Sequence, residues 1–267
     1  MSDIISLDYG SGGKKTSALI EEIIVPLLKN DALCELGDSA LVDGAGRLSF
    51  STDSFVVSPC FFPGGDIGKL AVCGTVNDVA AGGGIPKYLS LSFIIEEGFE
   101  LDKLRAIAQS IGKTAEEAGV FIVTGDTKVV EHGKGDGIYI NTAGIGFVKL
   151  EGLSPRNIKD GDAVLISGSA GDHGTSVMLA RNPGLAGGEI ASDCAPLNRM
   201  AEALMELGAE LRVMRDPTRG GVATILSEFV EGSPYSIELD EAAIPIKPSV
   251  AAACDILGLD PLYCACE

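Results

Sequence analysis

The chain is poor in basic residues, and this shortage limits the partners it can have. Its 267 residues include 20 lysines and arginines against 38 aspartates and glutamates, which gives a formal net charge of −18 at pH 7. The backbone of a nucleic acid and the surface of an anionic membrane both attract the opposite charge balance. We therefore expect neither a nucleic acid nor a membrane to be the main partner.

Three other patterns are missing. No apolar run is long enough to span a bilayer, and the first residues do not form the apolar core of a signal peptide. The seven cysteines include no CxxC pair, and the only histidines, His132 and His173, lie far along the chain from the closest cysteine pair, Cys264 and Cys266. These absences give little support to a zinc site and predict a protein of the reducing cytoplasm.

Apolar residues are plentiful at 46%, enough to form well-packed cores in one large or two modest domains. Periodicity in the first half predicts strands at 47–57, 88–96, 120–124 and 138–148, and helices at about 14–29, 66–81 and 101–118. In the second half it predicts strands at 163–168, 211–214 and 236–240, and helices at about 173–181, 194–208, 222–231 and 248–257. A polar, turn-rich stretch at 154–162 indicates a boundary near residue 152, between domains 1–151 and 152–267.

The segment TGDTKVV at 124–130 places an acidic and a basic residue, Asp126 and Lys128, after an apolar run. If that run is a buried strand, both side chains emerge at its C-terminal end, where open α/β sheets bind ligands. Three more aspartates stand at predicted strand ends or turns: Asp38, Asp53 and Asp78. Because Mg²⁺ prefers carboxylate and phosphate oxygens, the set predicts a site for a metal-bridged phosphate.

Each of these residues also has an ordinary structural interpretation. An aspartate followed by serine or threonine often caps a helix or a turn. Asp216 and Thr218 stand where a helix would begin, so they either cap that helix or contact phosphate or metal. His173 is either a general base or a loop histidine that satisfies local hydrogen bonds, and we assign it no catalytic role.

Five segments together resemble the HypE family of carbamoyl dehydratases, which act in the maturation of nickel–iron hydrogenases. They are FFPGGDIGKLAVCGTVND at 61–78, TGDTKVV at 124–130, GDHG at 171–174, SDCAPLN at 192–198 and DPTRGG at 216–221. The asparagine–aspartate pair at 77–78 and the last segment alone indicate only a wider ATP-binding superfamily. That superfamily includes aminoimidazole ribonucleotide (AIR) synthetase, selenophosphate synthetase and thiamine monophosphate kinase. The first two segments narrow the resemblance to HypE, which extends from about residue 7 to the last residue.

The resemblance implies an α/β (α+β) fold of the AIR synthetase type with two domains. The N-terminal domain would form a β-barrel with a second copy in a homodimer, and ATP with Mg²⁺ would lie between the domains. Asp38, Asp53, Asp78 and Asp126 become candidate metal or phosphate ligands, with Asn77, Asp126, Lys128 and Asp216 as nucleotide-binding residues. Lys128 and Glu267 become the candidate catalytic residues, Glu267 as the base.

The resemblance also implies a reaction and partners. A carbamoyltransferase, HypF, would place a carboxamide on a cysteine, and the enzyme would phosphorylate its oxygen with ATP and eliminate phosphate to leave a thiocyanate. A HypC–HypD complex would be the next partner, in the cytoplasm.

One departure from the family pattern lies at the end of the chain. Family members continue beyond Glu267 to a terminal cysteine that carries the carboxamide, so we expect an incomplete second domain with exposed strand edges. Cys264 or Cys266 could substitute as the acceptor, although an incomplete strand is the simpler interpretation of that segment. Two alternatives stay open: a nucleotide-binding scaffold without turnover, and another small-molecule kinase or ligase of the superfamily.

Overall fold

The structure is a computed structural model, and the residues that it describes are 4–10, 14–28, 30–34, 44, 46–182, 184 and 190–267. Within them the strands are β1 (Leu48–Phe55), β2 (Phe61–Phe62), β3 (Gly65–Asp66), β4 (Gly84–Glu96), β5 (Phe121–Val130) and β6 (Ile138–Val148). The helices are α1 (Lys14–Leu19), α2 (Val25–Leu28), α3 (Asp31–Cys34), α4 (Ile67–Ala81), α5 (Leu101–Ala118), α6 (Asp172–Arg181), α7 (Asn198–Leu204), α8 (Gly221–Val230) and α9 (Pro248–Leu257). A π-helical turn, Ile20–Ile24, joins α1 to α2.

Four strands form a mixed sheet in the order β1-β6-β4-β5, in which only the β4–β5 pair is parallel. Side chains alternate between the two faces of each strand, and one face packs against α4 and α5. Helix α4 begins after Asp66, whose carboxylate accepts hydrogen bonds from the main-chain N–H groups of Gly68 and Lys69. The fully buried residues Ile67, Val72 and Leu104 lie in the resulting core.

The other face of the sheet is open in the single chain. On β1 the outward residues Leu48 and Phe50 are 51% and 67% exposed, and Ile94 on β4 is 42% exposed. Large apolar side chains in this number on one sheet face are typical of an interaction surface. We call this the open sheet face.

The predicted elements of the first half agree with the structure, except that β4 begins four residues earlier than expected, at Gly84, and β5 is longer than expected. The predicted strand at 120–124 continues through Asp126 and Lys128 to Val130. The two charged residues therefore lie within the strand, and the expectation that they emerge beyond its end is wrong.

The strands predicted for the second half are not formed in the described part of the chain, where helices alternate with extended segments. Residues 163–168, predicted as a buried strand, are exposed throughout, with Leu165 at 80%. An extended segment becomes a strand only when a neighbour accepts its backbone hydrogen bonds, and no described segment pairs with this one. The segments at 211–214 and 236–240 likewise form no strand.

The helix predicted at 194–208 begins only at Asn198. Proline disfavours the helical conformation of the residue before it, and Pro196 lies inside the predicted span. Residues 192–198 instead form an extended strap between the two halves of the chain. Ser192 N–H donates to the carbonyl of Pro63 at 2.8 Å, and Asn198 Nδ2 donates to the carbonyl of Ala118 at 2.9 Å.

No helix among the described residues has both the length and the apolar character required to cross a membrane.

Candidate active site

Two aspartates from neighbouring elements lie side by side between β1 and α4. Asp53 is in β1 on the face that packs against α4, and Asp78 is in the C-terminal half of that helix. Thr75 Oγ1 donates to Asp53 Oδ2 at 2.9 Å, and Ser51 Oγ donates to Asp78 Oδ2 at 2.7 Å. Hydroxyl groups thus orient one oxygen of each carboxylate.

A third aspartate, Asp216 in the second half of the chain, lies near this pair. Burial raises the pKa of Asp53, and the charge of Asp78 raises it further, while Arg219 acts in the opposite direction. Burial also raises the pKa of Asp216 to about 6, with the charge of Asp78 adding to the effect. Charges of one sign are therefore collected where the two halves meet, and such a site favours a cation.

Glu267 completes this group of acids, which we call the carboxylate cluster: Asp53, Asp78, Asp216 and Glu267. Cys266 N–H donates to the carbonyl of Pro217 at 3.0 Å, which holds the 264–267 segment beside the DPTRGG segment. Burial raises the pKa of Glu267 to about 8, and the charges of Asp216, Asp193, Asp53 and Asp78 add to this effect. Carboxylates from four segments of the chain are therefore near enough for their charges to act on one another.

The carboxylate cluster has the chemistry of a magnesium site. Its donors are hard oxygens, and Mg²⁺ in phosphate-binding sites usually takes one or two carboxylates, with phosphate oxygens and water as the other ligands. Among the described residues, no group of three or more acidic, histidine or cysteine side chains is arranged to hold a metal ion by itself. The carboxylate oxygens thus match the ligand preference of Mg²⁺, whereas their arrangement in the described residues does not hold a metal ion by itself.

Asn77 was predicted to bind the nucleotide, but its side chain joins the two halves of the chain. Its Oδ1 accepts from Leu197 N–H at 2.8 Å, and its Nδ2 donates to the carbonyl of Ala195 at 3.0 Å. Asn77 is 8% exposed. Its position in α4, adjacent to Asp78, directs it to the strap, so the structure gives Asn77 a linking role, and its contact with a nucleotide stays a prediction.

Asp126 and Lys128 are not part of the carboxylate cluster within one chain. Asp53 aligns across the sheet with Thr142, Leu91 and Gly125, so Asp126 is three strands away, or about 14 Å. Because side chains alternate, Asp126 and Lys128 point to the open sheet face, whereas Asp53 points to α4. The two side chains pair with each other, Lys128 Nζ lying 3.1 Å from Asp126 Oδ1. The prediction of one pocket holding both groups in a single chain is therefore wrong.

Other predicted site residues are placed as follows. Asp38 lies outside the described residues. Asp216 and Thr218 do not cap α8, because the helix begins at Gly221 and its N-cap is Gly220. Cys264 and Cys266 are 7% and 6% exposed, and burial raises the pKa values of their thiols to about 11 and about 12. Buried, neutral thiols are poor nucleophiles, which weakens both as carboxamide acceptors.

His173 is buried at the start of α6 with its ring against Phe62. Its Nδ1 lies 2.9 Å from Ser192 Oγ, and burial lowers its pKa to about 4. The ring is therefore neutral at physiological pH and supports the strap, in agreement with the structural interpretation.

A cavity of about 340 Å³ lies apart from the carboxylate cluster, between the α1–α2 stretch and β5. Its lining combines apolar side chains, such as Ile24 and Ile122, with polar ones, such as Thr16 and Asp126. None of the four residues of the carboxylate cluster lines it.

Three residues that the sequence did not single out contribute to the site: Ser51, Thr75 and Asp193. The alternation of β1 could have identified Ser51, since it shares a face with Asp53. Thr75 and Asp193 act through contacts between distant segments, for which the sequence carries no local signal.

The sequence of each half matches a known family model. The model of the AIR synthase related protein N-terminal domain matches residues 36–148, and the model of the C-terminal domain matches residues 159–267. The carbamoyl dehydratase HypE of Rhizobium leguminosarum bv. viciae is 52% identical over 267 residues, which cover 98% of this chain and 76% of the relative. The chain belongs to the HypE family.

Solved HypE structures have the same fold. A HypE in complex with ATP is 50% identical and superimposes with a TM-score of 0.94, over 98% of this chain and 78% of that one. A chain of a HypE–HypF complex is 51% identical, with a TM-score of 0.80 over 94% of this chain and 82% of that one. The expected two-domain α/β fold of the AIR synthetase type is confirmed.

Proposed function

We propose that this chain is an ATP-dependent carbamoyl dehydratase that converts a cysteine S-carboxamide into a thiocyanate for hydrogenase maturation. Relatives about half identical over nearly the whole chain are carbamoyl dehydratases, and a HypE of 50% identity binds ATP. The observation in this chain that carries the proposal is the position of Glu267 beside Asp53, Asp78 and Asp216. This arrangement supports a role for Glu267 as the base beside a candidate phosphate-binding and metal-binding site.

The reaction has two steps because an amide oxygen is a poor leaving group. The carboxamide oxygen attacks the γ-phosphorus of ATP, the bond between that phosphorus and the ADP oxygen breaks, and one of the two N–H protons passes to solvent water. Glu267 then takes the remaining N–H proton, the carbon–nitrogen triple bond forms, and the carbon–oxygen bond breaks with its electron pair leaving on phosphate. The products are a thiocyanate, ADP and phosphate.

Asp53, Asp78 and Asp216 would hold Mg²⁺ together with the ATP phosphates, and the bound metal would offset negative charge on the transferred phosphoryl group. The hydrogen bonds from Ser51 and Thr75 keep two of these carboxylates in place. Asp38 stays a proposed additional ligand on the resemblance alone.

A homodimer would bring Asp126 and Lys128 into use. Both lie on the open sheet face, where the apolar side chains of Leu48 and Phe50 are exposed. We infer that a second copy covers this face and forms the barrel of the family fold. In this arrangement Lys128 and Asp126 of one copy would contact the nucleotide bound by the other, Lys128 stabilising the phosphoryl group.

HypF and a HypC–HypD complex are the proposed partners, and the cytoplasm is the proposed location. A HypE of 51% identity forms a complex with HypF, which supports the first. The cysteines whose side chains are described, Cys60, Cys73, Cys194, Cys254, Cys264 and Cys266, are free thiols, which agrees with a reducing compartment. We also propose a domain boundary near residue 152, since the two family models end at 148 and begin at 159.

The test of Glu267 is ATP turnover with a peptide that carries an S-carboxamide cysteine, measured as ADP and thiocyanate. Glu267→Gln should lower thiocyanate formation by about 100-fold or more while MgATP still binds, because a general base contributes about 10²–10⁴ in rate. Glu241→Gln, at an exposed site, is the matched control and should behave as wild type. Full thiocyanate formation by Glu267→Gln would contradict the assignment.

Mixing two inactive variants tests the role of the second copy. Lys128→Ala and Glu267→Gln are each expected to be inactive, but a mixed dimer would contain one intact composite site and recover part of the activity. Failure to recover activity in a verified mixed dimer would contradict the composite site. ATP binding without conversion by the wild-type chain would favour the scaffold alternative.

A further inference from the structure

Asp193 is an acidic residue that the proposed reaction does not use, and it contacts the segment carrying Glu267. The main-chain N–H of Glu267 donates to Asp193 Oδ2 at 3.4 Å. Asp193 also belongs to the strap, four residues from the Asn77–Leu197 hydrogen bond. It therefore lies between the candidate base and the junction of the two halves.

The surroundings of Asp193 disfavour the ionised form of its carboxylate. Its Oδ1 is buried with no hydrogen-bond partner among the described residues, and no described lysine, arginine or histidine forms an ion pair with it. Burial raises its pKa to about 6, and main-chain N–H groups, including those of Glu267 and His173, oppose that shift. A buried polar atom without a partner lowers the stability of a fold by about 1–3 kcal/mol. This carboxylate therefore reduces the stability of the protein, which argues against a purely structural role.

The neighbours of Asp193 leave it little freedom to move. Ser192 N–H donates to Pro63, and Ser192 Oγ lies against His173 Nδ1 and accepts from Cys194 N–H at 3.1 Å. Both residues adjacent to Asp193 are thus fixed, one to the β2–β3 hairpin and one to the buried core. A carboxylate fixed in this way can hold a partner in a defined position.

We propose that Asp193 is a positioning residue for Glu267. It holds the main-chain N–H of Glu267 and so directs the Glu267 carboxylate toward Asp53, Asp78 and Asp216. Asp193 contacts neither substrate nor nucleotide in this role. The proposal rests on the proposed function of Glu267 as the base.

The test compares Asp193→Asn and Asp193→Ala with Asp255→Asn, an exposed control in α9. Asp193→Ala should lower kcat for thiocyanate formation about 10- to 100-fold, because a small misplacement of a catalytic group has effects of this size. Asp193→Asn keeps one acceptor oxygen for the Glu267 N–H and should lose less. The Kd for MgATP and the KM for ATP should stay within about twofold of wild type, because the nucleotide ligands are intact. Asp255→Asn should match wild type in every parameter.

Amide hydrogen exchange of the 261–267 peptide provides a second readout that does not depend on turnover. Exchange at the end of this peptide should be faster in both Asp193 variants, with unchanged exchange in α4 and β1. An unchanged kcat in Asp193→Ala, or a kcat loss accompanied by equal loss of MgATP affinity and general unfolding, would overturn the proposal. If Glu267→Gln kept full turnover, the assignment of Glu267 would fail, and peptide exchange alone would decide whether Asp193 positions this segment.

Discussion

Asn77 and Leu197 connect the two halves of the chain through a partly buried hydrogen bond of 2.8 Å from the Leu197 N–H to Asn77 Oδ1. The same side chain donates from Nδ2 to the carbonyl of Ala195. One amide thus satisfies two partly buried backbone groups of the strap. The first prediction follows from this link.

Asn77→Ala should lower the free energy of unfolding by about 1–3 kcal/mol, because it leaves two backbone groups of the strap unpaired. Urea unfolding monitored by circular dichroism measures the change. Ser227→Ala, which removes an exposed hydroxyl bonded to its own helix, is the control and should change stability little. A variant as stable as wild type that has lost MgATP binding would instead restore Asn77 as a nucleotide contact.

Gly64→Ala should disrupt the contact between the β2–β3 hairpin and the strap. A Cβ at residue 64 would lie 2.6 Å from Ser192 N and 2.7 Å from Ser192 O, and the residue has φ +93°. Gly133→Ala is the matched control, since φ is +79° but no atom lies within 4 Å. The control should be less stable than wild type by only about 1–2 kcal/mol, which is the cost of a left-handed conformation for alanine. Thermal unfolding should show a clearly larger loss of stability for Gly64→Ala. Equal losses would show that the hairpin contact adapts at no cost.

His173 should make stability depend on pH. Because burial lowers its pKa from 6.5 to about 4, the unfolded chain binds a proton between these values that the folded protein does not. The contribution of His173 to the free energy of unfolding should therefore decrease as pH falls from about 6.5 to about 4, by on the order of 3 kcal/mol, and should be constant above pH 6.5. The raised pKa values of Asp193, Asp216 and Glu267 act in the opposite direction. His173→Gln should therefore gain stability relative to wild type as pH falls through this window, whereas the exposed His132→Gln should follow the wild type. An unchanged slope in His173→Gln would show that the ring is not the titrating group.

Asp53→Asn should stabilise the protein in the absence of Mg²⁺ and ATP. The raised pKa of Asp53 shows that its burial and the Asp78 charge disfavour the ionised form, so a neutral side chain should raise the free energy of unfolding. The extra stability that MgATP gives the wild type should decrease in the same variant, because a metal ligand is lost. Thermal unfolding with and without MgATP measures both changes. Lower stability without MgATP, together with an unchanged gain from MgATP, would contradict a ligand role.

Local patterns predicted the first half well because its elements are periodic. The predicted bounds of α5 and β6 agree with the structure, since apolar residues on α5 recur at helical spacing and β6 alternates strictly. The length of β5 was underestimated because Asp126 and Lys128 interrupt its apolar run while still lying on an exposed sheet face. In the second half, the 163–168 segment has the composition of a strand, but a strand also requires a pairing partner, which composition cannot reveal.

The candidate site was predictable only in part. Asp53, Asp78, Asp216 and Glu267 were named from the sequence, and their charges act on one another in the structure. Their roles as metal ligands and base stay predictions. The face on which Asp126 and Lys128 lie depends on where β5 ends, and the role of Asn77 depends on the path of the strap. Both are tertiary properties with no counterpart in a short sequence window.

The most direct test of the proposed activity is mass spectrometry of a peptide carrying an S-carboxamide cysteine, incubated with the wild-type chain, ATP and Mg²⁺. We predict that the peptide loses the mass of one water molecule, with one ADP and one phosphate formed for each thiocyanate, and that omission of ATP prevents the loss. A carboxamide peptide of unchanged mass, in the presence of bound or hydrolysed ATP, would contradict the proposal that this chain is a carbamoyl dehydratase.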